Sequence, residues 1–371
     1  MRVILFGTYD ATTHPRASII AAGLRAHGMS VQECNAPLGL STSARVDMLV
    51  RPWRAVFLVL RLVRCWARLI GAALRLSTPD VVLVGYLGHF DVHLARLLFP
   101  RATIVLDHLV GAADTARDRR LDSGFRPRLL RLIDEAALRA ADVVVVDTLA
   151  HQELLAPRHR TRSVVVGVGA PAEWFDVSGP DEAEGPLRVV FYGLYTPLQG
   201  TPVIGAALSR LRRRTDLDVE VTMIGTGQDS AETRALAGSS ARVRWLDWVA
   251  ADELPALVAG HHVCLGIFGT GGKAHRVVPN KVFQGAAAGC AIITSDTEPQ
   301  RRILGSAALL VPPGDPTALA TALARLATDR AELHRLRRAA RQLADDHFTE
   351  ERIAEPLVSR LDPARVAVRS R

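Results

Sequence analysis

The sequence predicts an α/β protein with two doubly wound, Rossmann-like domains that face a central cleft. Short β-branched runs alternate with Ala-, Leu- and Arg-rich helical stretches along the whole chain. The runs are apolar almost throughout, as in strands of a parallel sheet that is covered on both faces. The chain has 371 residues, enough for two such domains.

Five strands are predicted in the first half and six in the second. Helical stretches separate them, which is the order expected of doubly wound sheets. A long helical stretch over Ala318–Leu343 and a short helix after Thr349 end the pattern. The predicted strands are Val3–Phe6, Val81–Val84, Thr103–Leu106, Val143–Val146, Val164–Val166, Arg188–Phe191, Val219–Ile224, Val243–Leu246, Val263–Ile267, Ala291–Thr294 and Ala308–Val311.

A break in this alternation sets the domain boundaries. Glycines, prolines and the acidic run Asp181–Glu184 occupy Gly169–Pro186, a composition typical of a linker. We therefore expect a first domain over residues 1–170, a linker over 171–186, a second domain over 187–348 and a C-terminal tail or helix over 349–371.

The composition predicts a cytoplasmic protein without a resident metal or cofactor. The four cysteines (Cys34, Cys65, Cys264, Cys290) are scattered, without the spacing of a zinc site or a disulfide framework. The first apolar run is too short for a signal peptide, and no window of about 18 apolar residues predicts a membrane span. No cluster of carboxylates indicates a divalent metal.

The net charge of +8 lies entirely in the first half. Residues 1–170 hold 22 arginines and 14 acidic residues, whereas residues 171–371 hold 24 basic and 24 acidic residues. Such asymmetry is typical of proteins that bind nucleic acid, an anionic membrane or an anionic ligand. An arginine-rich composition without a binding role is the alternative. The chain has two lysines, Lys273 and Lys281.

The stretch Val50–Leu76 is predicted to be an amphipathic helix. In a helical-wheel projection at about 100° per residue, its arginines fall on one side of the helix and most of its apolar residues fall on the other. This pattern suits a helix on an anionic membrane, but a packed helix with a solvated arginine face has it too, so both interpretations stay open. The arginines are Arg54, Arg61, Arg64, Arg68 and Arg75; opposite them are Val59, Leu62, Val63, Trp66, Leu69, Ile70, Ala73 and Leu74.

Two glycine loops follow strands of the second half. The first, Phe191–Gly200 (FYGLYTPLQG), leads into a helix, and the second is Met223–Gly227 (MIGTG). Helix N-termini attract phosphate, and glycine lets a ligand approach the backbone. The loops predict an anion site at Gly193, Gly200 and Gly225, although structural turns have the same pattern.

A third segment, Gly269–Asp296, combines glycines with basic residues before a small-residue helix. Its Lys273, Arg276 and Lys281 place three cations beside the start of that helix. Cations beside a helix N-terminus suit a diphosphate. The alternative is a solvated basic loop.

The order of these segments resembles the family-4, retaining glycosyltransferases of GT-B architecture. In that family the first glycine loop faces the donor phosphates, and a later Pro-Asn-Lys-x-x-Glu-x-x-Ala-x-Gly stretch holds the sugar and ribose of the nucleotide donor. The resemblance extends through LVPPGDPTALATAL (Leu310–Leu323) over the C-terminal half, and is looser in the N-terminal half. The later stretch is here Pro279, Asn280, Lys281, Gln284, Ala287 and Gly289.

The chain departs from the family pattern at three positions. The family often has Arg and Lys where this chain has Leu194 and Gln199, and Gln284 replaces the Glu of the later stretch. Gln284 can still accept a hydrogen bond from a hydroxyl. Lys273, Arg276 and Lys281 can supply the missing phosphate cations; a degenerate, non-catalytic relative is the alternative.

The resemblance also implies a site in the N-terminal half, at the ends of its strands. A histidine of the family contacts the donor sugar there, and His108 matches its position, with His89 as the alternative. Asp107 and Asp114 are candidates to position the acceptor hydroxyl. Gly7, Arg16 and the loop Thr8–Pro15 are expected to line the acceptor side of the cleft.

Together the residues and the resemblance predict transfer of a sugar from a nucleoside-diphosphate sugar to an acceptor hydroxyl. The resemblance implies retention and no metal requirement. The expected acceptor is a glycan, a lipid-linked molecule or a small molecule. An anionic membrane surface is a candidate partner. No nucleic-acid partner is expected. A non-catalytic sugar-nucleotide-binding subunit and a nucleotide-sugar epimerase remain alternatives. A dinucleotide oxidoreductase is disfavoured because Gly7 does not begin a G-x-G-x-x-G motif.

Overall fold

The computed structural model describes residues 1–10, 15–39, 52–109, 111–112, 126–179 and 185–362, with the backbone alone for 52–55 and 126–127. The chain forms two compact units, Met1–Gly167 with Ile353–Arg371, and Val168–Arg352. Each unit holds a six-stranded parallel sheet with helices between its strands. The predicted α/β fold with two Rossmann-like domains is therefore confirmed.

The first unit contains β1 to β6. Strands such as Val81–Val84 and Val143–Val146 are buried along their whole length, as the apolar runs predicted. The strands are β1 (Arg2–Gly7), β2 (Ser30–Asn35), β3 (Val81–Val84), β4 (Thr103–Asp107), β5 (Val143–Val146) and β6 (Ser163–Val165), in the order β2-β1-β3-β4-β5-β6. The helices are α1 (Arg16–Ala26), α2 (Pro52–Ala73), α3 (Asp91–Leu98), α4 (Arg126–Ala140), α5 (Leu149–Leu154) and α6 (Pro157–Arg160).

The second unit contains β7 to β12. Its core lies between the sheet and the flanking helices, with Phe191 and Leu323 completely buried. The strands are β7 (Leu187–Tyr192), β8 (Val219–Ile224), β9 (Val243–Leu246), β10 (Val263–Leu265), β11 (Ala291–Ser295) and β12 (Ala308–Val311), in the order β12-β11-β10-β7-β8-β9. The helices are α7 (Thr201–Leu211), α8 (Ser230–Ala237), α9 (Leu254–Ala259), α10 (Asn280–Ala287), α11 (Glu298–Leu304), α12 (Pro316–Thr328) and α13 (Arg330–His347).

Helix α14 (Glu350–Leu361) follows the second unit but packs in the core of the first. Its apolar residues Ile353 and Leu357 lie one turn apart and join the cluster that contains Val3 and Leu5 of β1. The sequence predicted this helix as a tail after the second domain. Its apolar face instead completes one side of the first sheet, because that face is buried only there.

Helix α2 has three distinct faces. Leu58, Cys65, Leu69 and Ala73 are buried in the core of the first unit. Arg61, Arg64 and Arg68 form an exposed basic face. A third face is an exposed apolar stripe at spacings of three, four and seven residues, which consists of Val56, Val59, Leu60, Val63 and Ile70. Val59, Val63 and Ile70 were predicted on the same side as the buried Leu69, but the buried face is too narrow to include them. None of the described helices is long and apolar enough to span a bilayer.

The strand order reverses once in each sheet. The reversal lies between β1 and β3 in the first unit and between β7 and β10 in the second. Open α/β sheets bind ligands at the carboxyl ends of the strands beside such a reversal. In the second unit this position is formed by the loops that follow β7 and β10.

Candidate functional site

The loop after β7 packs directly on the loop after β10. Gly200, with φ of 63°, precedes α7, and a Cβ atom at this position would lie 2.4 Å from the Phe268 carbonyl carbon. The Phe268 amide donates to the carbonyl of Gln199 at 2.9 Å. Glycine is therefore required at position 200 because the two loops touch through their backbones.

The second glycine loop supports the first. Gly225 has φ of 120°, and a Cβ atom there would lie 2.0 Å from the carbonyl oxygen of Gly193. This contact explains Gly225 by backbone packing without a ligand. Gly193 itself has φ of 139°, and its missing side chain leaves space beside the ammonium group of Lys281.

Lys281 is the central residue of this site. It belongs to the first turn of α10 and is 4% exposed. Its Nζ donates to Oε1 of Gln199 and lies 3.8 Å from the centre of the Phe191 ring. A Cβ atom on Gly193 would lie 3.0 Å from the same Nζ. The structure thus brings Lys281 together with Gly193 and Gln199, two predicted donor-site residues that lie more than 80 positions earlier in the sequence.

The charge of Lys281 is not neutralised by any described residue. Within the described ranges, no carboxylate lies within ion-pair distance of Nζ, and its polar partner is the neutral amide of Gln199. Burial lowers the pKa of Lys281 to about 7. An anion beside Gly193 would restore the charge, because an opposite charge nearby favours the protonated form.

Gln284 lies one turn further along α10 and is also buried. Its Oε1 accepts a hydrogen bond from the Tyr192 hydroxyl at 2.9 Å. The Tyr192 ring stacks on Trp174, with centroids 5.8 Å apart, and burial raises the pKa of Tyr192 well above its usual value. Tyr192 and Trp174 were not predicted as site residues. The position of Tyr192 at a strand end, directly before Gly193, was a signal that could have identified it.

The other two predicted cations lie on the segment between β10 and α10. Lys273 and Arg276 are half-buried there, in a turn closed by a hydrogen bond from the Arg276 amide to the Lys273 carbonyl at 3.0 Å. Lys281 is the cation that lies beside Gly193 and Gln199. The roles of Lys273 and Arg276 stay predictions.

In the first unit, Asp107 and Arg16 are partners of each other. Both are almost fully buried, and the Arg16 Nε donates to the Asp107 carboxylate at 2.9 Å and 3.2 Å. The two Nη groups donate to the carbonyls of Gly167 and Val166. Burial raises the pKa of the Asp107 carboxyl, and Arg16 opposes that shift. These contacts give both residues a structural role, and their predicted acceptor-side roles stay predictions.

Gly7 also takes part in a structural contact. Its φ is 142°, and a Cβ atom there would lie 3.1 Å from Asp91 Oδ2. That oxygen accepts from the Thr8 amide at 2.7 Å and the Thr8 hydroxyl at 2.8 Å, while Oδ1 accepts from the Trp66 indole at 2.8 Å. Asp91 therefore joins the loop after β1 to α2 and α3. Asp114, the remaining predicted residue, lies outside the described residues.

His108 lies directly after β4 and beside His89. The two rings meet edge to face with centroids 5.5 Å apart, and His89 Nε2 lies 2.9 Å from Asp134 Oδ1. Burial lowers the pKa of His108 to about 4, and His89 adds to the shift. His108 and His89, the two candidates for the contact with the donor sugar, are thus neighbours. The sequence spacing predicted no metal site, but one nitrogen or oxygen atom of each of these three residues lies within 4.8 Å of the others.

The comparisons with known proteins agree with this fold. Residues 186–329 match the family model of the glycosyl transferases group 1. No curated protein matches the chain in sequence.

Solved structures match the chain over almost its whole length. Sucrose-phosphate synthase from Thermosynechococcus elongatus has a TM-score of 0.72 at 15% identity, with 99% of each chain covered. Anabaena HepE in complex with UDP and glucose has a TM-score of 0.65 at 13% identity, with 98% of this chain and 99% of HepE covered. An α,α-trehalose-phosphate synthase (UDP-forming) from Burkholderia vietnamiensis has a TM-score of 0.66 at 13% identity, with 97% and 96% covered. The chain thus has the GT-B fold, and residues 186–329 of its second unit are similar to the glycosyl transferases group 1.

Proposed function

We propose that the chain transfers a sugar from a nucleoside-diphosphate sugar, held by the second unit, to an acceptor hydroxyl. The observation that carries this proposal is the buried, unneutralised Lys281 where the loops after β7 and β10 meet. An isolated buried charge is costly. An anionic ligand that offsets the charge best explains why a buried lysine lies where the strand order reverses.

The diphosphate binds beside Gly193, within reach of Lys281. Gly193 has no side chain that would block this approach, and the hydrogen bond to Gln199 orients Nζ toward it. Lys281 in this way supplies the charge that the family's loop Lys supplies at the position of Gln199. Lys273 and Arg276 add further cations from the segment before α10.

Catalysis is electrostatic stabilisation of the departing diphosphate. The bond between the anomeric carbon and the phosphate oxygen breaks while the acceptor oxygen bonds to that carbon. Negative charge develops on the phosphate oxygen, which takes up the proton of the acceptor hydroxyl as the nucleoside diphosphate leaves. A preorganised ammonium in a water-poor site stabilises this charge without a metal. We therefore propose that transfer is metal-independent at the phosphates and proceeds with retention, as the family-4 resemblance implies.

Gln284 contacts donor hydroxyls. Its Oε1 is already an acceptor for Tyr192, and an amide suits a neutral diol.

His108, in the first unit, acts in the transfer step and not in nucleotide binding. For His108→Ala we expect a strongly lowered transfer rate with nearly unchanged affinity for nucleoside diphosphate; full activity would move this role to His89.

A donor screen tests the proposed reaction. Thermal shift identifies the donor that binds, with UDP-glucose first because HepE was solved with it. Release of free nucleoside diphosphate in the presence of acceptor then supports transfer. Isomerised donor without acceptor supports the epimerase, and binding without turnover supports the non-catalytic subunit, which Gln199 and Gln284 keep open. Either of these two results overturns the proposal.

We also propose that α2 holds the first unit on an anionic membrane. The exposed apolar stripe of Val56, Val59, Leu60, Val63 and Ile70 borders the exposed Arg61, Arg64 and Arg68, and α2 contains no acidic residue. Apolar insertion and arginine attraction act together at such a surface. Each basic residue adds about 1 kcal/mol, so three suffice for reversible attachment. This location would favour a lipid-linked acceptor.

Vesicle sedimentation tests the attachment. Binding to anionic vesicles should fall with salt and weaken when Arg61, Arg64 and Arg68 become Gln. The matched control removes the same charge at three exposed arginines of the second unit, Arg214, Arg302 and Arg335, and should bind as the wild type does. Equal loss in both triple variants, or no binding to anionic vesicles, would show that α2 is not the contact surface.

A further inference from the structure

We propose that His89, His108 and Asp134 of the first unit bind a divalent transition-metal ion. One nitrogen or oxygen atom of each residue lies within 4.8 Å of the other two. The three residues come from the loop after β3, the end of β4 and α4. His108 is also the residue proposed for turnover, so the test below measures metal binding and uses variants of His89 and Asp134.

The spacing of the atoms fits a coordination sphere. Bonds to Zn²⁺ are about 2.0–2.2 Å long, so neighbouring ligand atoms lie about 3 to 3.6 Å apart. His89 Nε2 lies 2.9 Å from Asp134 Oδ1. The His108 nitrogen lies within 4.8 Å of both of these atoms.

His89 gives a second, independent indication. Its side chain is 9% exposed, and Nε2 has no hydrogen-bond partner of acceptable geometry despite its short distance to Asp134. Buried ring nitrogens are normally hydrogen-bonded. A metal ion shared with Asp134 would satisfy Nε2.

The carboxylate is held in place for this role. The Ala112 amide donates to Asp134 Oδ1 at 2.8 Å, which fixes the carboxylate beside the histidines. Such outer contacts are typical of carboxylates that coordinate metals.

The set of atoms selects the class of metal. Two imidazoles and one carboxylate suit Zn²⁺, Co²⁺ or Fe²⁺ better than Mg²⁺ or Ca²⁺, which prefer oxygen ligands. Three protein ligands leave at least one position for water or a ligand oxygen. The three residues belong to the first unit, whereas Lys281 belongs to the second.

Cobalt binding provides the test. The full chain is stripped with a chelator and titrated with Co²⁺, whose visible absorption reports nitrogen and oxygen ligands, and then with Zn²⁺ in competition. We expect one equivalent bound, and affinity lowered about tenfold or more in His89→Gln and in Asp134→Asn. His93→Gln is the matched control, because His93 is exposed on neighbouring α3.

Thermal unfolding separates binding from damage to the fold. Zn²⁺ should raise the midpoint of the wild type and of His93→Gln but not that of Asp134→Asn, since a ligand of the native state stabilises it. The proposal is overturned if the wild type binds no Co²⁺, or if His89→Gln and Asp134→Asn bind Co²⁺ as the wild type does. Neither result bears on nucleotide binding at Lys281.

Discussion

Arg16 and Lys281 are both buried cations, yet their surroundings differ. Arg16 is 2% exposed and meets a carboxylate and two carbonyl oxygens, so its charge is neutralised and its donors are used. Lys281 is 4% exposed and meets a neutral amide and an aromatic ring. A buried cation with its own carboxylate holds the fold together, whereas one without such a partner is available to an anion from solution.

The largest effect should follow from Arg16→Met. It leaves the Asp107 carboxylate buried without its cation, which costs about 3–5 kcal/mol of unfolding free energy. Chemical denaturation measures the loss. The double variant Arg16→Met with Asp107→Leu should recover much of it, because no buried charge is then left. A loss below about 1 kcal/mol would contradict the structural role of this pair.

Lys281→Met should affect nucleotide binding and not lower the stability. We expect unchanged or greater stability, because an unpaired buried charge is removed, and an affinity for nucleoside diphosphate weaker by about 1–3 kcal/mol. Calorimetric titration with UDP, GDP and TDP gives the affinity. Arg302→Gln, which alters an exposed ion pair in the same unit, is the control. Unchanged affinity for all three nucleotides would remove Lys281 from the proposed donor site.

The pH dependence of binding should follow Lys281. Its pKa in the free protein is about 7, so the charged form that attracts phosphate is lost as pH rises. The terminal phosphate is already ionised above its pKa of about 6. Affinity should therefore fall between about pH 7.5 and 9, by at most tenfold per unit, and stay flat in Lys281→Met. A parallel fall in that variant would assign the titration to another group.

The lowered pKa of Lys281 affects stability in the opposite direction: as pH rises, affinity for nucleotide falls but the unfolding free energy increases. The unfolded lysine keeps its proton up to about pH 10.4, whereas the folded one loses it near pH 7. The unfolded state thus binds more protons in this interval, and the contribution of Lys281 to the unfolding free energy rises with pH. Denaturation at pH 7 and at pH 9, with Lys281→Met as reference, measures this contribution.

Gln284→Glu should have the smallest effect. The Tyr192 hydroxyl can donate to a carboxylate as it does to the amide oxygen, so the contact survives. Nucleoside diphosphate affinity should change by less than about threefold, because the residue contacts hydroxyls. Complete loss of diphosphate affinity would instead place this side chain close to the phosphates.

Apolar runs predicted most of the fold, and side-chain contacts explain what they missed. All eleven predicted strands coincide with observed ones. Strand β2 was not predicted because it is an edge strand whose Gln32 and Glu33 are exposed, so it has no apolar run. The predicted helix Ala318–Leu343 is two helices, since Asp329 ends α12 and caps α13.

The site was predicted less completely, for a different reason. Lys281, Gln199 and Gly193 were each predicted from local motifs, but their contact spans 82 residues and no spacing rule gives it. Asp107 was predicted to act on the acceptor from its position at a strand end, and its contact with Arg16, 91 residues away, could not be predicted from local sequence. Local pattern locates strand ends, whereas the tertiary fold decides which charges are neutralised there.

The return of α14 to the first sheet has a consequence for synthesis on the ribosome. Residues 168–352 must all be translated before Ile353 and Leu357 can cover Val3 and Leu5. At about 5–20 residues per second, this takes roughly 10 to 40 seconds. During that interval α1 covers one apolar face of the first sheet without α14, whereas all residues of the second unit are translated by the end of it.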